Sequence, residues 1–204
     1  MSEPLKPQAV TPTRWMSAWL VFLAVLSVSL GEVYEWKNLK IGGAGFVTGI
    51  IPSRSEKGLV YCRTDVGGAY RRESTEETWV PLLDWLSEAD RGFLGVESLA
   101  TDESDPRNLY MLVGIDYFSE GRTAILRSSD YGRTFDLVEV GDQFRVHGNG
   151  MGRQNGERLQ VDPNNSDVLY TGSRDAGLFK SLDAGRTWNR LEALDVTTTP
   201  NGNG

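Results

Sequence analysis

The chain has 204 residues and a formal net charge of −7, with 21 basic and 28 acidic side chains. No run of basic residues is longer than Arg71-Arg72, which argues against a nucleic-acid partner. A single cysteine, Cys62, excludes an internal disulfide, and a single histidine, His147, leaves no histidine cluster for a metal, so we expect neither a metal nor another cofactor.

An uncharged, apolar segment occupies residues 15–30 near the start of the chain. It is shorter than the ~20 residues that comfortably span a bilayer. Arg14 precedes it and the small residues Ser29 and Gly31 stand at its end, an order typical of a secretory signal peptide. We predict a hydrophobic helix within a signal peptide over residues 1–31, with an uncleaved signal anchor and a buried core helix as alternatives. The first reading makes the remainder secreted or periplasmic, and the second makes it membrane-anchored outside the cytoplasm.

From residue 32 onward the chain repeats one pattern of apolar runs and polar turns. The clearest copy, residues 168–188, has two strand-like runs, a loop between them and a tight polar turn that leads into an aromatic residue. Two earlier copies follow the same order, and a propeller blade has four strands and about 40–50 residues. We predict an all-β fold, a partial β-propeller of about three four-stranded blades. The predicted parts are an incomplete propeller at residues 32–196, with blades at residues 34–85, 94–140 and 157–192, and a polar tail at residues 197–204.

A polar turn of the form Ser-x-Asp-x-Gly-x-Thr-aromatic closes the copies; it is called the Asp-box, or bacterial neuraminidase repeat. Its Ser and Asp side chains can bond nearby backbone amides, and its Gly supplies the positive φ of a tight turn. We therefore predict that Asp130 and Asp183 shape turns and take no part in catalysis. The motif occupies residues 128–135 in the second copy and 181–188 in the third, and the first copy keeps only Thr78-Trp79.

Asp65 departs from the pattern that the copies share. It stands four residues after Tyr61, whereas the acidic residue of the third copy, Asp175, stands five residues after Tyr170. A slip of one residue sends a strand side chain to the opposite face. The doubled Gly67-Gly68 allows a bulge or a close backbone approach, a feature found beside active sites. Asp65 is therefore a candidate catalytic residue, with the alternative that it caps a turn.

Two loops carry candidate substrate-binding side chains. An insertion in the second copy contains neighbouring aromatic residues that could stack on sugar rings or anchor the loop. A glycine-rich loop at residues 144–156 could admit a ligand close to its backbone and offers polar donors, or it could be a flexible connector. With the tryptophan that closes the first copy, the candidate substrate-binding residues are Tyr117, Phe118, Arg153, Gln154, Asn155 and Trp85.

The segment from Thr64 to Arg71, Thr-Asp-Val-Gly-Gly-Ala-Tyr-Arg, resembles glycoside hydrolase family 74, the xyloglucanases and related endoglucanases. The Asp-boxes alone are less specific, because sialidases, sortilin-type receptors and photosystem assembly factors also contain them. Further segments resemble the family in the same order along the chain, and they are Trp36-Lys37-Asn38-Leu39, residues 43–47, residues 81–85, residues 124–128 and residues 156–163.

This resemblance implies two seven-bladed propellers with a substrate cleft between them, and inverting cleavage of β-1,4-glucan backbones, usually in xyloglucan. Asp65 falls on the family's catalytic base. The family's general acid belongs to the second propeller, and we expect it to lie beyond the C-terminus. We therefore expect an N-terminal fragment of a secreted glycoside hydrolase that binds a polysaccharide or oligosaccharide and is inactive alone, so whether this chain is itself an enzyme stays open.

Two other functions remain in view at this stage. A non-catalytic Asp-box propeller could bind carbohydrate or protein, as sortilin-like receptors do. A sialidase is less favoured, because the Phe-Arg-Ile-Pro type of opening found in those enzymes is absent from the sequence. Contact with a membrane is expected only through an uncleaved signal anchor.

Overall fold

The protein is described here from a computed structural model, which covers residue 38 and residues 40–193. The predicted signal segment at residues 1–31 and the polar tail at residues 197–204 lie outside the described residues. Within the described part, no helix is long and apolar enough to cross a membrane.

Three antiparallel sheets of four strands each make up the described chain, and in every sheet the strands are neighbours in sequence order. This confirms the predicted all-β fold of three four-stranded units. Two short 3-10 helices, Glu88–Leu94 and Ser119–Gly121, lie in the connections. The first sheet contains β1 (Val47–Pro52), β2 (Val60–Thr64), β3 (Ala69–Arg72) and β4 (Val80–Pro81). The second contains β5 (Val96–Thr101), β6 (Leu109–Gly114), β7 (Thr123–Ser128) and β8 (Asp136–Glu139), and the third contains β9 (Leu159–Asp162), β10 (Asn165–Gly172), β11 (Leu178–Ser181) and β12 (Asn189–Arg190).

Strand β6 shows how the sheets pack against one another. All of its residues are buried, and successive side chains of a strand point to opposite faces. Leu109, Met111 and Val113 belong to the apolar core shared with the first sheet, whereas Tyr110 and Leu112 belong to the core shared with the third. The second sheet therefore lies between the other two. Full burial of one such side chain stabilises the fold by about 1.5–3 kcal/mol relative to its exposure.

The two Asp-boxes form the same turn, at the ends of β7 and β11. Asp130 Oδ1 accepts hydrogen bonds from Ser128 Oγ at 2.7 Å and from the Thr134 N–H at 2.9 Å. Gly132, at a φ of +80°, donates its N–H to Ser128 Oγ at 2.8 Å. The same three bonds recur around Asp183, each at 2.8 Å. Both carboxylates therefore hold turns together, as their spacing predicts.

These turns make part of the stability depend on pH. Burial raises the pKa of the Asp130 and Asp183 carboxyls, but the hydrogen bonds from Thr134 and Thr187 and from the neighbouring serines outweigh it, and both pKa values fall to about 2. An aspartate in an unfolded chain has a pKa of about 3.9. Because the folded pKa is the lower one, the stabilisation is present above pH ~4 and is lost as the pH falls towards 2.

We predict that the double variant Asp130→Ala/Asp183→Ala loses about 1 kcal/mol per site at pH 7, the usual cost of removing a capping side chain. It should also show a smaller fall in unfolding free energy between pH 5 and pH 2 than the original chain. Urea unfolding at several pH values measures both effects. The control is Asp136→Ala/Asp175→Ala, because both of these residues are exposed. A pH dependence unchanged by the Asp-box substitutions would contradict the assignment.

Candidate functional site

The candidate loops open at the same end of the three sheets. Strands β2, β6 and β10 all end there. The first strand of each sheet, which is β1, β5 or β9, is called its inner strand. A backbone hydrogen bond joins the end of β2, β6 or β10 to the residue that precedes the inner strand of the same sheet. Asp65 follows β2, and Tyr117 and Phe118 follow β6. Residues 144–156 connect the second sheet to the third at this end. The Asp-boxes, which follow β7 and β11, lie at the opposite end of the sheets.

Asp65 is buried, and its side chain contacts residues outside its own turn. Its Oδ1 accepts a hydrogen bond from the backbone N–H of Phe46 at 2.8 Å, and its N–H donates to the Phe46 carbonyl at 3.1 Å. Its Oδ2 lies 3.2 Å from Arg153 Nε. The residue is 6% exposed, so the carboxylate sits just beneath the surface. Each carboxylate oxygen can accept two hydrogen bonds, so both keep capacity for a further donor such as a water molecule.

The turn that follows β2 is capped by Thr64 and not by Asp65. Thr64 Oγ1 accepts the N–H of Gly67 at 2.8 Å and donates to the Gly68 carbonyl at 2.9 Å. Gly68 has a φ of +82°, and a Cβ on Gly67 would stand 1.7 Å from the Ala44 carbonyl oxygen. The paired glycines therefore allow the chain before β1 to press against this turn, alongside the Asp65 carboxylate.

Arg153 reaches this carboxylate from the connector between the second and third sheets. Its Nε lies within ion-pair distance of Asp65 but is not aligned with any acceptor for a hydrogen bond, so the contact is electrostatic. Its guanidinium carbon also lies 5.6 Å from the centre of the Phe46 ring, an arrangement typical of a cation–π contact. A positive charge and an aromatic face thus flank the Asp65 side chain.

The position of the connector is set by Arg63, a fully buried arginine of β2. Its Nε donates to Glu157 Oε1 at 2.7 Å, and its Nη1 donates to Thr48 Oγ1 at 2.7 Å and to the Arg153 carbonyl at 3.1 Å. Its Nη2 donates to the Gly156 carbonyl at 3.1 Å. All three guanidinium nitrogens therefore have acceptors, which a buried charge requires.

Glu157 links this arginine to the second sheet. Its Oε2 accepts hydrogen bonds from Ser98 Oγ at 2.8 Å and from the Leu99 N–H at 2.7 Å. Ser98 Oγ in turn accepts the N–H groups of Arg158 and Leu159 at 2.8 and 2.9 Å. One polar network thus joins the inner strands of all three sheets.

A second buried carboxylate, Glu97, is held between two arginines. Arg174 Nη2 lies 2.9 Å from Glu97 Oε1, and Arg158 makes an ion pair with the same oxygen. Burial, with the charges of Arg174 and Arg63, lowers the pKa of Arg158 to about 10, so it stays charged at neutral pH. Arg174 also donates to the Met151 carbonyl. The connector is therefore held at several backbone carbonyls by half-buried or buried arginines.

Tyr117 lies against His147 and Phe118 lies against Tyr117, but the two aromatic residues differ in exposure. Tyr117 is 59% exposed, its hydroxyl accepts a hydrogen bond from Asn149 Nδ2 at 2.5 Å, and its ring meets the edge of His147. Phe118 is half-buried, with the guanidinium of Arg91 over its ring at 4.4 Å. The structure thus presents Tyr117 to solvent and uses Phe118 to pack the loop.

His147 contributes a ring contact and a backbone contact to this loop. Its Nδ1 accepts a hydrogen bond from the Asp116 N–H at 3.3 Å. Burial lowers the pKa of His147, as do the charges of Arg174 and Arg153, against an opposing effect of Asp116. The ring is therefore neutral at pH 7, which suits the acceptor role of Nδ1.

The remaining candidate residues are placed as follows. Gln154 and Asn155 are exposed on the connector, where the Asn155 N–H donates to the Gly152 carbonyl at 3.0 Å. Trp85 is half exposed, stacks on Phe135 at 6.2 Å and donates its Nε1–H to the Leu82 carbonyl. Phe135 belongs to an Asp-box, so the ring of Trp85 lies against the second sheet, at a turn away from the Asp65 end.

Cys62 has the environment of a core residue. It is 1% exposed, and burial raises the pKa of its thiol to about 11, so the nucleophilic thiolate is scarce at neutral pH. Among the described residues, no group of three or more His, Cys, Asp or Glu side chains could hold a metal ion.

Sequence reasoning includes Arg153 among the candidates but misses the other residues that support Asp65. Phe46 and Glu157 lie in segments singled out only for their family resemblance, and Arg63 and Glu97 lie in strand-like runs where a charge is unexpected. Buried charged residues in strand-like runs were the available signal, because such residues are almost never fully buried unless paired.

Comparison with known proteins identifies close relatives of this chain. No protein-family model matches it. A xyloglucanase of Paenibacillus sp is 43% identical over 200 residues, which cover 92% of this chain and 19% of that protein. An oligoxyloglucan-reducing end-specific xyloglucanase of Emericella nidulans is 38% identical over 189 residues, covering 90% of this chain and 23% of that protein. The chain thus spans about a fifth of the length of the curated relatives it matches.

Solved structures give the same result for the fold. The GH74 enzyme of Niastella koreensis matches with a TM-score of 0.75 at 54% identity, covering 82% of this chain and 24% of that one. The GH74 xyloglucanase of Xanthomonas campestris matches with a TM-score of 0.68 at 44% identity, covering 78% of this chain and 22% of that one. YCF48 bound to a D1 peptide, at 9% identity and a TM-score of 0.55, shares the fold alone. These matches confirm the partial β-propeller.

We predict that the pair formed by Arg63, which is fully buried, and Glu157, whose side chain is 17% exposed, carries a large coupling energy. Removing one partner of such a pair costs about 3–5 kcal/mol, because the other charge stays buried without compensation. The double variant Arg63→Met/Glu157→Leu should therefore lose less stability than the sum of the single variants, by about 0.5–3 kcal/mol. Urea unfolding of the four proteins gives this difference.

The matched control is the exposed pair of Arg54 and Glu103, whose side chains are 81% and 42% exposed. The same substitutions there should give a coupling energy of at most about 1 kcal/mol. Equal coupling energies for the buried and the exposed pair would show that the network does not hold the sheets together.

Proposed function

Because the chain belongs to glycoside hydrolase family 74, we propose that it provides the general base and part of the cleft of a glycoside hydrolase that acts on xyloglucan or a related β-1,4-glucan. The observation that carries this proposal is the environment of Asp65. Its carboxylate is held by a backbone N–H and an arginine, while Thr64 caps the adjacent turn. The fold thus does not use this carboxylate to close its own turn, which leaves it for chemistry.

The proposed reaction is hydrolysis with inversion at the anomeric carbon. Asp65 takes a proton from a water molecule, the water oxygen bonds to the anomeric carbon, and the bond to the leaving glycosidic oxygen breaks. A second carboxyl group protonates that oxygen, and in inverting glycosidases it lies about 6.5–9.5 Å from the base. We propose that this acid belongs to the part of the relatives that the matched residues do not cover, as the family resemblance implies.

The substrate proposal follows from the relatives and from the surface around Asp65. The two curated relatives are named for xyloglucan and oligoxyloglucan. Exposed polar and aromatic side chains, including Tyr117, Gln154 and Asn155, lie on loops at the Asp65 end of the sheets. Polar donors and aromatic faces together recognise the hydroxyl groups and C–H faces of sugars. The predicted signal segment at residues 1–31 would place this surface outside the cytoplasm, where a polymer too large to cross a membrane is encountered.

A non-catalytic binding propeller is the second candidate function. The ion pair of Asp65 with Arg153 favours it, because a carboxylate with a fixed cationic partner also serves as a structural contact. Substitution of Asp65 separates the two functions. A hydrolase should keep sugar binding and lose hydrolysis, whereas a binding propeller has no hydrolysis to lose.

We predict that the 204-residue chain binds xyloglucan oligosaccharides in isothermal titration calorimetry and does not bind sialyl-lactose. Asp65→Asn keeps the shape and the hydrogen-bond acceptor of the side chain, so binding should change by less than about tenfold, or ~1.4 kcal/mol. Binding of sialyl-lactose in place of the glucan would point to a sialidase instead. Asp136→Asn, on an exposed side chain, is the control.

We predict further that the chain alone releases no reducing sugar from xyloglucan, because its general acid is supplied elsewhere. A longer protein that joins this chain to the part of the relatives lying outside the matched residues should release it. Asp65→Asn in that longer protein should lower kcat by at least about 10²-fold, the smaller end of a general base's contribution. Hydrolysis by the 204-residue chain that disappears in Asp65→Asn would show instead that its acid lies within these residues.

A further inference from the structure

The ring of Phe46 is exposed at the edge of the site, although aromatic rings are usually packed. It is 56% exposed, while its backbone is tied to Asp65 in both directions by the Phe46 N–H and the Phe46 carbonyl. These hydrogen bonds fix the Phe46 backbone, and with it the Cβ that carries the ring, relative to the Asp65 carboxylate. Leaving a phenylalanine ring in water forgoes the stabilisation that burial would give, so the fold itself gains little from this side chain.

The other two sheets show that the backbone position does not require a phenylalanine. The bond from the Asp65 N–H to the Phe46 carbonyl recurs in the second sheet from Gly114 to Gly95 at 2.9 Å, and in the third from Gly172 to Arg158 at 3.0 Å. The inner strand of the second sheet even has its bulge at the same place, two residues into the strand. In this hydrogen bond the donor Asp65 is replaced by a glycine in both other sheets, and the acceptor Phe46 by a glycine in one and an arginine in the other. In the hairpin turn that follows, Ser173 of the third sheet takes the place of Thr64, so the residue after it is Arg174.

Two features keep the Phe46 ring where a ligand could meet it. Gly45 has a φ of +101°, and a Cβ there would stand 3.0 Å from the backbone nitrogen of Gly67, so the chain reaches Phe46 through a close backbone approach. Arg153 lies with its guanidinium carbon 5.6 Å from the ring centre and its Nε 3.2 Å from Asp65 Oδ2. The ring, the cation and the carboxylate therefore form one cluster of fixed geometry.

We propose that Phe46 is a sugar-stacking residue that seats a glucosyl unit of the β-glucan next to Asp65, with Arg153 as a hydrogen-bond donor to its hydroxyl groups; this rests on the proposed function. The faces of a β-linked glucosyl ring carry C–H groups, which pack against an aromatic face, whereas its hydroxyl groups point outward to polar partners. Stacking on Phe46 sets the distance between the bound sugar and the carboxylate, since the Phe46 N–H donates to that carboxylate and the Phe46 carbonyl accepts from the Asp65 N–H. Phe46 thus contributes to glucan recognition, and the proton transfer stays with Asp65.

Titration of the full 204-residue chain with xyloglucan oligosaccharides and with unbranched cello-oligosaccharides tests this assignment. Phe46→Ala should weaken binding of both by about tenfold, since the glucan backbone they share makes the stacking contact. Phe46→Trp should keep the affinity, and its indole fluorescence should change on addition of either oligosaccharide. Ile50→Ala is the matched control, because Ile50 lies on the same inner strand and is 66% exposed.

The outcomes separate this inference from the proposed function. If the original chain binds the oligosaccharides and Phe46→Ala binds them equally well, Phe46 does not stack on the sugar and only the further inference fails. If the original chain binds neither oligosaccharide, the proposed function fails and the sugar-stacking assignment fails with it. Urea unfolding of each variant shows whether a loss of binding comes with a loss of fold.

Discussion

The ion pair between Arg63 and Glu157 is the interaction on which the rest of the site depends. Taking these charges out of water is costly, and the cost is offset only if each retains its hydrogen-bond partners. Arg63 donates from all three of its guanidinium nitrogens, and Glu157 accepts from Ser98 and Leu99 as well. Because these partners come from different sheets and from the connector, the network fixes the position of one sheet against the next more specifically than apolar packing does.

The Arg63–Glu157 pair positions the surroundings of Asp65 through the connector, residues 144–156. Arg63 holds the backbone carbonyl of Arg153, and the side chain of Arg153 then reaches the carboxylate of Asp65. The second network, around Glu97, holds the same connector through Arg174 at the Met151 carbonyl. A loop rich in glycine is thus held in place by arginines that donate hydrogen bonds to its carbonyl groups, and by the buried side chains of Phe144 and Val146 at its start. Gln154 and Asn155, which follow Arg153 in the connector, are exposed.

Much of the fold could be predicted because it repeats. The Asp-boxes identified the turns, and the apolar runs identified strands such as β6 and β10, since periodic patterns and turn residues act locally. Asp65 could be singled out by comparing copies, because it stands where the repeat is broken. Its contacts could not be predicted, because Phe46 and Arg153 are distant in sequence and meet it only through the register of β1 with β2 and the course of the connector. The stacking of Trp85 on Phe135 could not be predicted for the same reason, because the two residues are distant in sequence.

The three sheets share a backbone hydrogen bond between the end of the second strand and the residue before the first strand. The residues at this bond explain why the candidate site lies in the first sheet. At the end of the second strand the other two sheets have Gly114 and Gly172, which bring no side chain to that point. The second sheet has no room for an aromatic residue before its inner strand, because a Cβ on Gly95 would stand 2.3 Å from Ile115. In the first sheet the chain before β1 lies against Gly67 instead, and this leaves space for both a ring and a carboxylate. The same backbone hydrogen bond, at the same end of all three sheets, therefore positions both an aromatic ring and a carboxylate in the first sheet only.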